Sequence, residues 1–79
     1  MPRTFTVRTG QDLGAAVREA RLAAGLTQEQ LSEATATERT YLTKMESGVS
    51  VLLLDRALRL LRHLGAEVTV TLPETRRGS

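Results

Sequence analysis

Between Leu26 and Gly48, the stretch "LTQEQLSEATATERTYLTKMESG" leaves room for two short helices and a tight turn. Thr27 can accept from the backbone amide of Gln30 while the Gln30 side chain reaches back to Thr27, a reciprocal capping box. Leu31 and Ala34 then point inward, and the helix lasts barely two turns. After Thr35 and Ala36, Thr37 can cap a further helix, whose buried face is Leu42 and Met45 with the body of Tyr41 beside them. Gly48 closes it. Any fold for this chain has to pack two such helices side by side.

The flanking segments supply the support. "TFTVRT" alternates, with Phe5 and Val7 on one side, and reads as a short strand. Thr9, with Asp12 three positions later, starts a helix with Leu13, Ala16, Val17, Ala20 and Ala24 on one face. Gly25 ends it as a left-handed cap, and Leu26 packs back. A last helix runs from Leu53 or Leu54 to Leu64, with Gly65 as its stop. Its apolar residues Leu60, Leu53, Leu64, Ala57, Leu61, Leu54 and Leu58 cover an arc of about 160°, wider than the roughly 100° a core stripe needs. One edge of that arc, at Leu53 and Leu60, is expected to face a second subunit; a deeper core helix is the alternative. "EVTVTL" then alternates Val68, Val70 and Leu72 with Thr69 and Thr71, a half-buried strand that Pro73 terminates. An isolated strand is unstable, so it pairs with the Phe5 strand or with its own copy across a dimer, and the dimer pairing is the expectation. The fold class is therefore mainly α: four helices with short N- and C-terminal strands. Residues 1–73 make one domain and residues 74–79 a loose tail.

Size and composition narrow the function. Seventy-nine residues bury only about 60% of their unfolded surface, a marginal arrangement that a partner subunit helps. There is no cysteine, which removes a disulfide framework, a thiolate metal site and a cysteine nucleophile, and a reducing cytoplasm is the natural setting. The longest apolar run, Val51 to Leu54, is far short of the roughly 20 residues that span a bilayer, and "MPRTFTVRTG" is no signal peptide. The single histidine, His63, has no nucleophile or ligand companion, so neither catalysis, a metal nor a cofactor is expected. Asp12, Glu29, Glu33, Glu38, Asp55 and Glu67 read as caps and solvated faces. Net charge is only +2, yet the basic residues are ten arginines and one lysine, a balance suited to phosphates and guanine edges.

Two short helices at a tight turn, with a supporting helix before them, make a helix-turn-helix. In that arrangement the second helix enters the DNA major groove, and the start of the helix before it meets the phosphate backbone. Gln28 opens the earlier helix, where side-chain and free backbone amides can hold a phosphate. Arg39, Thr40, Thr43 and Lys44 occupy the outer face of the later one, and Thr37 at its start is counted with them. Arg39 can pair bidentately with guanine, Lys44 can donate to guanine or phosphate, and the threonines can bond or touch thymine methyls. A solvated surface helix is the plain alternative.

The same stretch, followed by "LDRALRLLRHLG", resembles the Xre/Cro-type, lambda-repressor-like family, with its L-T-Q-x-x-L helix and S/T-Y-L-S/T-K-x-E-x-G recognition helix, over about Leu13 to Gly65. The compact "GVSVLLLDRALRLLRHLGAEVTV" end is most similar to HipB-type antitoxins. That resemblance implies a homodimer that represses its own operon at a palindromic double-stranded operator in the nucleoid and binds a HipA-type kinase toxin. It matches Gln28, Arg39, Thr40, Thr43 and Lys44 to DNA-contacting positions, and Arg21 and Glu46 to an internal ion pair. Leu53, Leu60, Val68, Val70 and Leu72 become the dimer or partner surface. Two departures stand out. Ala36 replaces the usual turn glycine, so a left-handed conformation there costs roughly 1 kcal/mol unless the turn changes; and Ser50, Val51 and Leu53 replace more polar or proline-containing loops. The tail after Pro73 has no aromatic anchor, so toxin contact is assigned to the folded body. A stand-alone phage-type repressor and a pure protein-interaction module remain the alternatives.

Overall fold

A computed structural model describes residues 3–49 and 52–73. In chain order they form β1 (Arg3–Val7), α1 (Gly10–Ala23), α2 (Gln28–Thr35), α3 (Arg39–Glu46), α4 (Leu52–His63) and β2 (Val68–Leu72). Ser50, Val51 and the tail after Pro73, to which the sequence assigned a loop character and a loose end, lie outside the described residues.

The capping chemistry sets the helix starts. Thr9 accepts from the Asp12 amide at 3.0 Å while Asp12 accepts from the Thr9 amide at 3.3 Å, so both halves of the box at α1 are made. Thr27 and Gln30 do the same for α2 at 3.0 and 2.9 Å. The start of α3 departs from expectation: Glu38 occupies the cap position with no side-chain bond, and the Thr37 hydroxyl instead stands 3.0 Å from that of Thr35. Thr37 is held in the turn by its own amide, which donates to the Ser32 carbonyl at 3.0 Å.

All four helices end the same way. At α1, α3 and α4 the left-handed residue is glycine, Gly25, Gly48 and Gly65, and at α2 it is Ala36, with φ 55° and ψ 34°. In each case the residue after it donates back five positions, as in Leu26 to Arg21, Thr37 to Ser32, Val49 to Lys44 and Ala66 to Leu61. The turn between α2 and α3 thus keeps the geometry a glycine would give, and Ala36 bears the strain of the Cβ.

The strands pair within the chain. β1 and β2 run antiparallel, with Arg3 opposite Leu72, Phe5 opposite Val70 and Val7 opposite Val68. This corrects the expectation that β2 pairs across a dimer: the two alternating segments present matching apolar faces, and a partner in the same chain costs no association entropy. Leu72 is consequently 2% exposed and belongs to the core, not to a partner surface, while Val68 and Val70 are half-buried on the same face.

The core is thin. Val7, Ala16, Leu42, Leu58 and Leu72 are buried, with Leu13, Val17, Leu31, Met45 and Leu54 half-buried around them. Gly14 lets α1 and α3 approach closely, since a Cβ there would meet the Met45 carbonyl oxygen at 1.9 Å. Three positions read as inward are exposed. Ala24 caps α1, Ala34 lies on the outer side of α2 where Ser32 takes the buried place, and Tyr41 is half open to solvent. On α4 only Leu58 is buried, so the wide apolar arc is not a deep core helix. Leu53, Leu60 and Leu64 are 74%, 65% and 76% exposed. No described helix is long and apolar enough to cross a membrane.

Candidate nucleic-acid interface

The face of α3 opposite Leu42 is built outward from a buried charge pair. Glu46, in the last turn of α3, receives a two-pronged contact from Arg21 of α1, Nε to Oε2 at 2.9 Å and the second guanidinium nitrogen to Oε1 at 3.0 Å. The remaining Arg21 nitrogen donates to the Leu26 carbonyl at 2.8 Å, so the guanidinium fork is satisfied on three sides. Their side chains are 10% and 3% exposed. The bond to Arg21 is the main cause that holds the Glu46 carboxyl below the usual carboxylate range, against burial, which pushes the other way; the same bond raises Arg21. The pairing of Arg21 with Glu46 that the family resemblance implied is present and ties α3 to α1.

From Glu46 the bonding continues to the surface. Gln28 Nε2 donates to Glu46 Oε1 at 3.1 Å, and Gln28 Oε1 accepts from the Thr43 hydroxyl at 2.9 Å. Gln28 therefore bridges the buried pair and the outer face of α3. An amide with both ends engaged holds one orientation, and so does the threonine it bonds.

Gln28, Arg39, Thr40, Thr43 and Lys44 together line one open depression. Arg39, Thr40, Thr43 and Lys44 are all exposed, as the helical spacing of the sequence requires. Thr37 lies at the start of α3 but outside that lining, half-buried in the turn. Every one of these lining side chains is polar, and they offer a guanidinium, an ammonium, two hydroxyls and an amide. That set can donate to phosphate oxygens and to guanine O6 and N7, and can touch a thymine methyl. Among the described residues no group of histidine, cysteine, aspartate or glutamate is placed to hold a metal ion.

Sequence reasoning missed four contacts that set this geometry. Gly14 had a signal, because a glycine inside a helix costs about 1 kcal/mol relative to alanine and so marks a close approach. The Asp55 carboxylate accepts from the Gly10 amide at 2.6 Å, joining α4 to the start of α1, and the Arg62 side chain donates to the Arg8 carbonyl. Both cross long sequence separations and leave no local pattern. The Gln28–Thr43 bond also had no signal of its own, since both residues were assigned outward.

A short α2, a tight turn and an α3 whose polar face stands open define a helix-turn-helix of the kind that docks on DNA. The comparison with known families agrees: the helix-turn-helix domain family matches residues 12–72, and the chain belongs to it. It is accordingly a DNA-binding domain of the type found in transcription regulators. None of the curated proteins and none of the solved structures matches the chain.

Proposed function

We propose that this chain is a sequence-specific transcriptional repressor that works as a homodimer. The observation that carries the reading is the single depression lined by Gln28, Arg39, Thr40, Thr43 and Lys44, which gathers base-reading and phosphate-holding groups on one face. Arg39 reads guanine, Lys44 donates to guanine or phosphate, Thr40 and Thr43 contact bases or thymine methyls, and Thr37 and Gln28 serve the backbone near the ends of their helices. Selection of bound duplexes from a random pool tests this, with an Arg39→Ala/Lys44→Ala control. Recovery of a half-site motif that the control loses supports it; no enrichment, or the same motif with the control, leaves a protein-interaction module as the answer.

The dimer rests on α4. Leu53, Leu60 and Leu64 lie within about 40° of one another around the helix, a stripe too apolar to be left in water at no cost. A second copy laid on that stripe would place two α3 helices about 34 to 36 Å apart, one turn of DNA, on a palindromic operator. Val68 and Val70 on β2 border the core and are secondary to it. Sedimentation of the wild type and of Leu60→Glu checks the arrangement: a wild type that stays monomeric at micromolar concentration, with no cooperative DNA binding, sinks it.

The likeness to HipB-type antitoxins supports a finer role, in which the dimer represses its own operon in the cytoplasm and binds a HipA-type kinase toxin through its folded body. Co-purification with a kinase-like protein encoded beside it tests that role. Without such a neighbour the chain is a stand-alone phage-type repressor, with the same DNA chemistry.

A further inference from the structure

The ten arginines are not concentrated on the reading helix: α3 carries one, Arg39, whereas α4 carries Arg56, Arg59 and Arg62. Arg8, Arg59 and Arg62 line, with Gln11 and Asp55, an open depression where the start of α1 meets α4. Arg62 is held there by its bond to the Arg8 carbonyl. Asp55 gives one oxygen to the Gly10 amide and pairs with none of the three arginines among the described residues. The nearby amides of Arg8, Thr9, Gly10 and Asp12 already have acceptors, so the donors left for a ligand are the guanidinium groups, less the Arg62 nitrogen bonded to Arg8, and the Gln11 side-chain amide. Three positive charges against one negative leave the lining at +2, with like charges gathered and no carboxylate paired to them.

We infer that this depression binds a phosphate group. Phosphate offers three oxygens and, as a monoester, between one and a half and two negative charges, roughly what three guanidinium forks and one carboxylate leave unmatched. A carboxylate brings two oxygens and one charge, and would leave one arginine without a partner. The site is separate from the reading face. The two depressions share no lining residue: one is formed by α2 and α3, the other where the start of α1 meets α4. The charge and oxygen count match a phosphomonoester on a free molecule; a DNA phosphodiester beyond the bases that α3 reads, with one charge and two free oxygens, fills the site less fully and is the source the test separates from it.

Arg59→Gln is the variant to use, because the Arg59 side chain makes no hydrogen bond to the described residues and its loss unseats no neighbour. Inorganic phosphate is titrated into the full chain at constant ionic strength, with chloride as control, while the Nε–H signals of the arginines are followed by NMR. The expected result is a saturable shift at Arg8, Arg59 and Arg62 with phosphate, and an affinity about tenfold lower in Arg59→Gln. Duplex binding by both proteins then identifies the source. A logarithmic salt slope smaller by about 1 in Arg59→Gln assigns the phosphate to the DNA backbone, and an unchanged slope assigns it to a free phosphorylated molecule. No saturable shift, the same affinity in Arg59→Gln, or a stronger response to a polyglutamate peptide than to phosphate overturns the inference. The phosphate titration needs no DNA, so its failure is distinct from failure of the repressor reading.

Discussion

A Cβ added to Gly14 would stand 1.9 Å from the carbonyl oxygen of Met45, a backbone atom that no side-chain rotation can move aside. Gly14→Ala should therefore force α1 and α3 apart and destabilise the fold by about 3 kcal/mol or more. Gly65 gives the contrast: it faces open space at φ +81°, so Gly65→Ala should cost only about 1 kcal/mol of backbone strain. Urea denaturation followed by circular dichroism measures both, and equal losses would refute the close-approach account.

Arg21→Met strands the Glu46 carboxylate in a buried place, and the expected loss is about 3 to 5 kcal/mol. Glu46 also predicts a pH dependence. Its folded-state value is depressed, so the stabilisation is fully present above the unfolded value of about 4.3 and is lost as pH falls through the lower folded value. A stability profile of the wild type should decline through that acid window, and Glu46→Gln should flatten the decline. A profile identical in the two proteins would remove Glu46 as its cause.

Ala36 holds a left-handed conformation that glycine adopts without strain. Ala36→Gly should raise stability by about 0.5 to 1 kcal/mol, the relief of the Cβ clash less the extra entropy of a glycine in the unfolded chain. Because the turn already has this geometry, the α2–α3 angle and the DNA preference should not change. A thermal melt and a competition binding assay give the two readouts, and a shifted sequence preference would mean that Ala36 tunes the orientation of α3.

Gln28 bonds Thr43 as well as Glu46, so Gln28→Ala should do two things. Loss of a group at the start of α2 weakens binding to all duplexes. Release of the Thr43 hydroxyl also loosens preference at the base step Thr43 faces. Arg39→Ala, by comparison, should relax one guanine position at a cost of about 1 to 3 kcal/mol. If Gln28→Ala lowers every affinity by one common factor, the Gln28–Thr43 bond carries no specificity.

Much of this was legible in the residue order. Helix starts at Thr9 and Thr27 and helix ends at Gly25, Gly48 and Gly65 came from local chemistry, because a cap and its partners lie within a few positions of each other. The polar face of α3 and the Arg21–Glu46 pair were also foreseen, the first from helical spacing and the second from family likeness. What failed was long-range or competitive. Thr37 is not the cap because α3 starts one position later, after Glu38, and its hydroxyl bonds that of Thr35; Ala34 is exposed while Ser32 takes the buried place; and Leu72 is claimed by the chain's own sheet. The contact of Asp55 with Gly10 spans 45 positions and could be seen only in three dimensions.

The pairing of Arg3 with Leu72 brings the first and last described elements to one place. In a variant cut back to residues 3–73, a short linker from Pro73 to Arg3 would therefore join neighbouring points and close that segment into a ring without stretching it. Such a ring has fewer unfolded conformations to lose, which favours the folded form. The lining of the reading face includes no residue of either strand, so ring closure leaves α3 free to meet its duplex.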